Sequence, residues 1–275
     1  YNDLMKFDGR GFADKIERDL VDKVRNLATK PKIVSVLVGN DPASKLYTRL
    51  KKEAAERVGI QFDVLEIGLG FKTQDLQEQI VELGNREDVS GVMIQLPVPG
   101  LQGQTLQEVL KAIPPEKDVD GLRYPESGVI PPVVKATLLI LAEMTNHKFS
   151  NSQIGNLGKY VVMGAGGSVG SALCNELQKH GVLVTKVDSD TNDPTRRLLE
   201  GKVVISCVGK EGLVTPEMVQ EGAIVIDVGA PKGDMAKEVY QKASVSVEVP
   251  GGVGPVTIAT LMENALEMYE RTRNT

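Results

Sequence analysis

Two cysteines and two histidines in 275 residues leave little from which to build a metal cluster or a disulfide framework. Cys174 falls on an expected helix and Cys207 at the end of an expected strand, as two buried thiols of a reducing compartment would. No apolar run approaches the length of a membrane span. The opening Tyr1-Asn2-Asp3-Leu4-Met5 lacks the charged-then-apolar order of a signal peptide. An excess of basic residues is missing too. The formal net charge is −5 and the pI about 5.3, with lysines and arginines scattered, which argues against nucleic acid or an anionic membrane as partner. We therefore expect a cytoplasmic protein with no metal. Internal repeats and low-complexity segments are absent as well.

What is present is an alternation of short apolar runs with longer segments of helical period, the pattern of parallel sheets covered by helices. In the first half the expected strands are Ile33 to Val38, Phe62 to Ile67 and Gly91 to Ile94, separated by helices Pro42 to Val58, Thr73 to Leu83 and Leu106 to Ile113. A second series runs Tyr160 to Met163, Val182 to Val187, Val203 to Ser206, Ile224 to Asp227 and Val245 to Val247. Two sheets imply two domains, and the chain is long enough for two cores. The proline-containing stretch Pro125 to Pro132 marks the boundary, followed by a connecting helix from Val133 to Met144. An amphipathic segment, Thr257 to Arg271, returns to complete the first domain. We expect one domain at 1–124 with 257–275 and a second at 125–256.

The second domain opens with Gly164-Ala165-Gly166-Gly167-Ser168-Val169-Gly170, between the run Tyr160 to Met163 and Ser171-Ala172-Leu173-Cys174. A strand that turns through glycines into a helix lets backbone approach a pyrophosphate, and the helix start offers unpaired N–H donors. About eighteen residues beyond Gly170 the next strand ends in Asp188, where a dinucleotide domain holds its ribose-binding acid. A nicotinamide cofactor follows as the first hypothesis. The spacing G-x-G-x-x-x-G is one residue longer than the common fingerprint, and glycine turns also serve as plain connections.

The first domain carries Tyr47 and Lys51, four residues apart on one face of the helix after Gly39-Asn40-Asp41-Pro42. A lysine beside an aromatic ring in a cleft can shuttle protons, although exposed pairs of this kind are common. Short-chain dehydrogenases also use Tyr-x-x-x-Lys, but theirs follows the cofactor turn and this pair precedes it. Three further segments lie at strand ends, where open parallel sheets present ligands. Gln95-Leu96-Pro97-Val98-Pro99 places an amide within reach of the lysine. In Lys117-Asp118-Val119-Asp120-Gly121 the paired acids can hold a basic heterocycle or form a solvated turn. Val249-Pro250-Gly251-Gly252-Val253-Gly254-Pro255-Val256-Thr257 is a glycine loop suited to close passage over a flat ligand or to starting a helix.

Tyr-x-x-x-Lys at 47–51, Gln-Leu-Pro at 95–97, Lys-Asp-Val-Asp-Gly at 117–121, Gly-Ala-Ile-Val-Ile-Asp-Val-Gly at 222–229 and Pro-Gly-Gly-Val-Gly-Pro at 250–255 stand in one order. Together they resemble the methylenetetrahydrofolate dehydrogenase/cyclohydrolase family over nearly the whole chain. The resemblance implies a folate-binding α/β domain, a Rossmann-like dinucleotide-binding domain and a homodimer joined through the latter. It implies oxidation of methylene-tetrahydrofolate to the methenyl cation with a nicotinamide, then hydrolysis to 10-formyl-tetrahydrofolate. Lys51 would assist water attack, Gln95 would tune Lys51, Tyr47 would stack on the folate and Asp120 would anchor the pterin edge. Leu96 and Pro97, with Pro250, Gly251, Gly252 and Pro255, would contact substrate, the latter loop covering folate and nicotinamide together. Val208 and Gly209 join the glycine turn, Asp188, Ser189 and Asp190 as cofactor residues.

This sequence also departs from the family. Ala165 and Gly166 stand where arginine and serine are usual, and Asp190 where a basic residue commonly holds the phosphate of NADP. Two carboxylates would repel that phosphate, whereas Asp188 suits free ribose hydroxyls, so NAD is expected over NADP. Pro131-Pro132-Val133-Val134-Lys135-Ala136-Thr137 replaces a Pro-Cys-Thr-Pro segment, leaving open a dehydrogenase without hydrolase activity. The segment between Asp227 and Val249 is shorter than usual. A shikimate-dehydrogenase-like oxidoreductase and a non-catalytic nucleotide-binding protein are the remaining alternatives. The former leaves Gln95 and Lys-Asp-Val-Asp-Gly unexplained, and the latter leaves Lys51 so.

Overall fold

A computed structural model describes residues 5–144 and 154–273. The signal-peptide reading of residues 1–4 and the last two residues of the expected 257–275 segment lie outside them. In chain order the strands are β1 (Met5–Lys6), β2 (Lys32–Val38), β3 (Gln61–Ile67), β4 (Gly91–Ile94), β5 (Tyr160–Met163), β6 (Val184–Val187), β7 (Val203–Ser206), β8 (Ile224–Asp227) and β9 (Val245–Val247). The helices are α1 (Gly9–Arg25), α2 (Pro42–Val58), α3 (Thr73–Asn85), α4 (Gly103–Leu110), α5 (Pro132–Met144), α6 (Ser168–Lys179), α7 (Pro194–Leu199), α8 (Lys237–Lys242) and α9 (Val253–Arg273).

The chain divides into two compact units, residues 14–132 with 258–275 and residues 1–13 with 133–257. The first holds a parallel three-stranded sheet in the order β3-β2-β4, with Ile33 beside both Phe62 and Gly91. Strand β2 is apolar throughout except Lys32 and Ser35, as a strand covered on both faces must be. Successive side chains alternate between faces. Ile33 joins Met93, Ala54, Val58 and the α9 residues Leu261, Met262 and Leu266, while Val34 and Val36 join Leu76 and Ile80 of α3 and Ile113. Each fully buried aliphatic side chain of this size contributes about 1.5–3 kcal/mol. That burial is what returns the last helix to this unit, as expected from its amphipathic pattern.

The second unit is a parallel six-stranded sheet ordered β1-β9-β8-β7-β5-β6. Its order reverses at β5, with β6 on one side and β7 on the other, and such a switch point is where open α/β sheets bind ligands. Strand β1 and helix α1 were not legible in the sequence. Two residues are too short to show a period, yet Met5 N and Phe7 N donate to Ser244 O and Ser246 O at 3.1 and 2.9 Å and add this segment to β9. Residues 5–13 thus group with the second unit, where 1–124 was expected in the first, and residues 125–132 group with the first.

Several boundaries also move, among them the start of α4, at Gly103 instead of Leu106, and the end of α3, at Asn85 instead of Leu83. Helix α4 ends at Leu110, not Ile113, because Ile113 N turns back to Leu110 O at 3.1 Å before Pro114. Strand β6 starts at Val184, since Val182 N closes the end of α6 on Leu177 O at 3.0 Å and Leu183 is 90% exposed. Helix α9 starts at Val253, four residues before Thr257, so Gly254 and Pro255 lie in its first turn rather than in a loop. Among the described residues no helix is long and apolar enough to cross a membrane.

Candidate functional site

Helix α2 is delimited by local chemistry. Asp41 caps it by accepting from Ser44 N at 2.7 Å, Pro42 fits its first turn, and Gly59 ends it in the left-handed region at φ 82°. Its buried face reads Ser44, Thr48, Lys51, Ala54, Ala55, Val58. A lysine therefore sits in the line of residues that packs on the sheet, with only 9% of its surface exposed.

Lys51 Nζ donates to Gln95 Oε1 at 3.1 Å and lies 3.7 Å from Asp120 Oδ2. Gln95 is fixed twice: its backbone N extends the ladder to Val36 O at 2.9 Å, and its amide Nε2 donates to Leu96 O at 2.8 Å. The amide orientation leaves its oxygen facing the lysine. Tyr47 is half-buried one turn before Lys51, Leu96 is half-buried and Pro97 exposed. Thus Tyr47, Lys51, Gln95, Leu96, Pro97 and Asp120 belong to one unit, and Lys51 meets both Gln95 and Asp120.

The two acids of the 117–121 segment have separate fates, a correction to their expected joint role. Asp118 is fully buried, and its carboxylate accepts from Leu122 N at 2.9 Å and Arg123 N at 2.8 Å. Burial raises its pKa above the ordinary carboxylate value, and the Arg123 and Leu122 N–H groups oppose that. It shapes the turn and leaves Asp120 alone at the site. Val119 seats this turn beside β4: a side chain at Gly91 would meet Val119 Cγ1 at 2.2 Å. Asn264 of α9 adds a tie, donating to Val119 O at 3.1 Å and Ile130 O at 3.0 Å.

Ser44 and Thr48, absent from the expected site, present buried hydroxyls without a protein partner on the same helix face as Lys51. Their i, i+4, i+7 spacing with Lys51 was the available signal.

In the other unit, Gly164 takes φ 81° and Gly167 caps α6 with no side-chain hydrogen bond, leaving first-turn donors open. A Cβ at Gly170 would lie 2.1 Å from Gly164 O, so only glycine allows the turn to close. Ala165 is buried, Val169 half-buried, and Gly166, Gly167 and Ser168 are exposed. This backbone cradle fits a dinucleotide phosphate. Asp188 Oδ1 accepts from Gly166 N at 2.8 Å, so the β6 acid and the glycine turn are in direct contact. Thr191 fixes the β6 end, its Oγ1 accepting from Asp188 N at 2.8 Å, while Ser189 and Asp190 are both exposed. Val208 and Gly209 are exposed after β7. At the start of α9, Gly251 takes φ 102°, and a side chain at Gly252 would lie 2.6 Å from Glu248 O. Pro250 is exposed and Pro255 half-buried.

Cys174 is buried, whereas Cys207, expected to be buried, is half-buried. Burial pushes both thiols above their ordinary pKa, so neither is an activated nucleophile. Among the described residues no group of three or more His, Cys, Asp or Glu is arranged to hold a metal.

Known proteins share this architecture and sequence. The model of the tetrahydrofolate dehydrogenase/cyclohydrolase catalytic domain matches residues 7–120, and that of the NAD(P)-binding domain matches residues 141–273. The bifunctional protein FolD of Mesoplasma florum is 32% identical over 291 residues, spanning 98% of this chain and 99% of its own. That of Staphylococcus carnosus is 36% identical over 275 residues, spanning 94% of each chain. A 5,10-methylenetetrahydrofolate dehydrogenase structure from the silkworm, Bombyx mori, superposes with a TM-score of 0.88 at 27% identity, covering 99% of this chain and 100% of its own. This chain belongs to the tetrahydrofolate dehydrogenase/cyclohydrolase family.

Proposed function

We propose that this chain oxidises 5,10-methylenetetrahydrofolate to the methenyl cation with NAD in preference to NADP, and hydrolyses that cation to 10-formyltetrahydrofolate. The observation that carries the reading is the meeting of Lys51, Gln95 and Asp120 at the carboxyl end of β4. Hydrolysis needs a positioned proton carrier, and a lysine held by an amide oxygen beside a carboxylate provides one. In this reading Lys51 assists addition of water at the methenyl carbon and moves a proton at the adjacent nitrogen. Gln95 orients Lys51, Asp120 anchors the pterin edge and Tyr47 stacks on the folate, with Leu96 and Pro97 beside it. Pro250, Gly251, Gly252 and Pro255 are further residues proposed to contact substrate.

The residues from Gly164 to Gly170, with Asp188, Ser189, Asp190, Val208 and Gly209, would hold the nicotinamide dinucleotide, which when bound supplies the hydride acceptor. Preference for NAD is supported by the contact between Gly166 and Asp188. A Cβ at position 166 would lie 3.3 Å from both Asp188 carboxylate oxygens, so this acid stands against the glycine turn and repels a ribose 2′-phosphate.

A second reading, dehydrogenase without hydrolase activity, is favoured by the altered segment at Pro131, which packs beside the Asp120 turn: a Cβ at Gly121 would meet Pro131 N at 2.7 Å. The same proposal includes a cytoplasmic homodimer with no nucleic-acid or membrane partner. Support comes from the net charge of −5, from β6 as one of the two edge strands of its sheet and from Leu183, 90% exposed beside it. Purified protein given tetrahydrofolate, formaldehyde and NAD should develop methenyl absorbance that then decays. No absorbance with either nicotinamide overturns the reading, and persistent absorbance without enzymatic decay selects the dehydrogenase alone.

A further inference from the structure

The eight-residue stretch Gly222 to Gly229 runs through β8. It ends β8 at Asp227, which is fully buried. Asp227 Oδ1 accepts from Gly229 N and Asp234 N, both at 2.9 Å, while Oδ2 accepts from Met235 N at 2.9 Å and Tyr240 Oη at 2.7 Å. This carboxylate therefore folds residues 229–235 into one turn and aims Asp234 toward β7.

Asp234 is itself fully buried. Its Oδ2 accepts from Ser206 Oγ and Val208 N, and its Oδ1 from Lys210 N, each at 2.7 Å. Its approach requires Gly229, because a Cβ there would lie 2.1 Å from Asp234 Oδ1. The segment so gripped, Val208 to Lys210, follows β7 and lies beyond the ladder, with Gly209 at φ 78°. It lies against the glycine turn: a Cβ at Gly164 would meet Cys207 O at 2.9 Å and Val208 Cγ2 at 3.1 Å. Segments after β5 and β7 flank the switch point of the sheet.

We infer that Asp234 is a positioning residue of the dinucleotide site, holding the exposed Val208–Gly209 backbone in the shape the cofactor meets. The inference rests on reading the glycine turn as that site. A buried carboxylate that accepts three donors is held in a single place, and its loss leaves the part-buried Val208 and Lys210 N–H groups without this acceptor. The loop then relaxes and the cofactor bears the cost of reordering it.

Asp234→Asn keeps the shape but turns one acceptor into a donor facing an N–H. Its KM for the nicotinamide should rise about tenfold, with KM for methylenetetrahydrofolate and hydrolysis of supplied methenyltetrahydrofolate within about twofold of the parent. Ser206→Ala, a milder change, should raise the nicotinamide KM about threefold. An unchanged nicotinamide KM in a folded variant, or a proportional fall of every parameter, overturns the inference. Should Asp234→Asn fail to fold, Ser206→Ala decides, and an unchanged value there overturns it. Titration of the parent with NAD and NADP separates the two levels: a parent that binds neither removes the site assignment and this inference with it.

Discussion

Lys51 Nζ donates to Gln95 Oε1 across 3.1 Å, joining a helix residue to a strand-end residue 44 positions away. Neither element alone makes the site: α2 supplies a lysine on its buried face, and β4 supplies a fixed oxygen for it. Replacing Lys51 with Met keeps the aliphatic stem in its packing and removes the nitrogen. Hydrolysis of methenyltetrahydrofolate should fall by about 10²–10⁴ while circular dichroism and the unfolding midpoint stay near the parent's. Undiminished hydrolysis would discard the assigned role.

Asp120 depends in turn on a residue far away in sequence. Asn264, 2% exposed on α9, donates to Val119 O and Ile130 O at 3.1 and 3.0 Å, on the residue before Asp120 and on the strand of chain beside it. Asn264→Leu fills the volume but leaves one buried and one part-buried carbonyl without these donors, at a cost of about 1–3 kcal/mol in urea unfolding. KM for the folate substrate should rise as the turn loosens. A variant with parental stability and parental folate KM would show that α9 does not hold this turn.

Much of this was legible in the sequence because it rests on local signals. Strand β2 shows its double burial as a continuous apolar run, and α2 carries Asp-Pro at its start and Gly at its end. The illegible parts depend on partners distant in the chain. Met5–Lys6 is a strand only because β9 offers an edge. Asp118 and Asp120 look equivalent in sequence, and the N–H groups of Leu122 and Arg123 claim one of them. Asp234, with no signal of its own, matters through contacts with residues 206–210, more than twenty positions upstream.

Under the proposed preference for NAD, cofactor choice would turn on Asp188, half-buried at the end of β6 with one oxygen engaged by Gly166 N at 2.8 Å. The free oxygen suits ribose hydroxyls, and the charge opposes a phosphate. The parent should show a higher kcat/KM with NAD than with NADP. Asp188→Ala should lower the NAD value about tenfold and narrow the preference. A parent that favours NADP would show that charge at this acid does not govern selection.

The pH response of α2 follows from its cap. Asp41 accepts from Ser44 N at 2.7 Å, and this backbone hydrogen bond holds its carboxyl below the ordinary value of 3.8. Because the folded pKa is the lower one, the folded state binds the proton less readily than the unfolded chain does. The charged cap's contribution is therefore complete above pH 3.8 and is lost as pH falls through the folded pKa. Urea unfolding of the parent and of Asp41→Ala between about pH 7 and about pH 2 should show a stability difference that is constant at the upper end and shrinks in acid. Asp41→Asn, whose amide caps without titrating, should keep its advantage over alanine down to the lowest pH. A parent-to-alanine difference that does not change with pH would mean that the charge on Asp41 contributes nothing to the helix carrying Lys51.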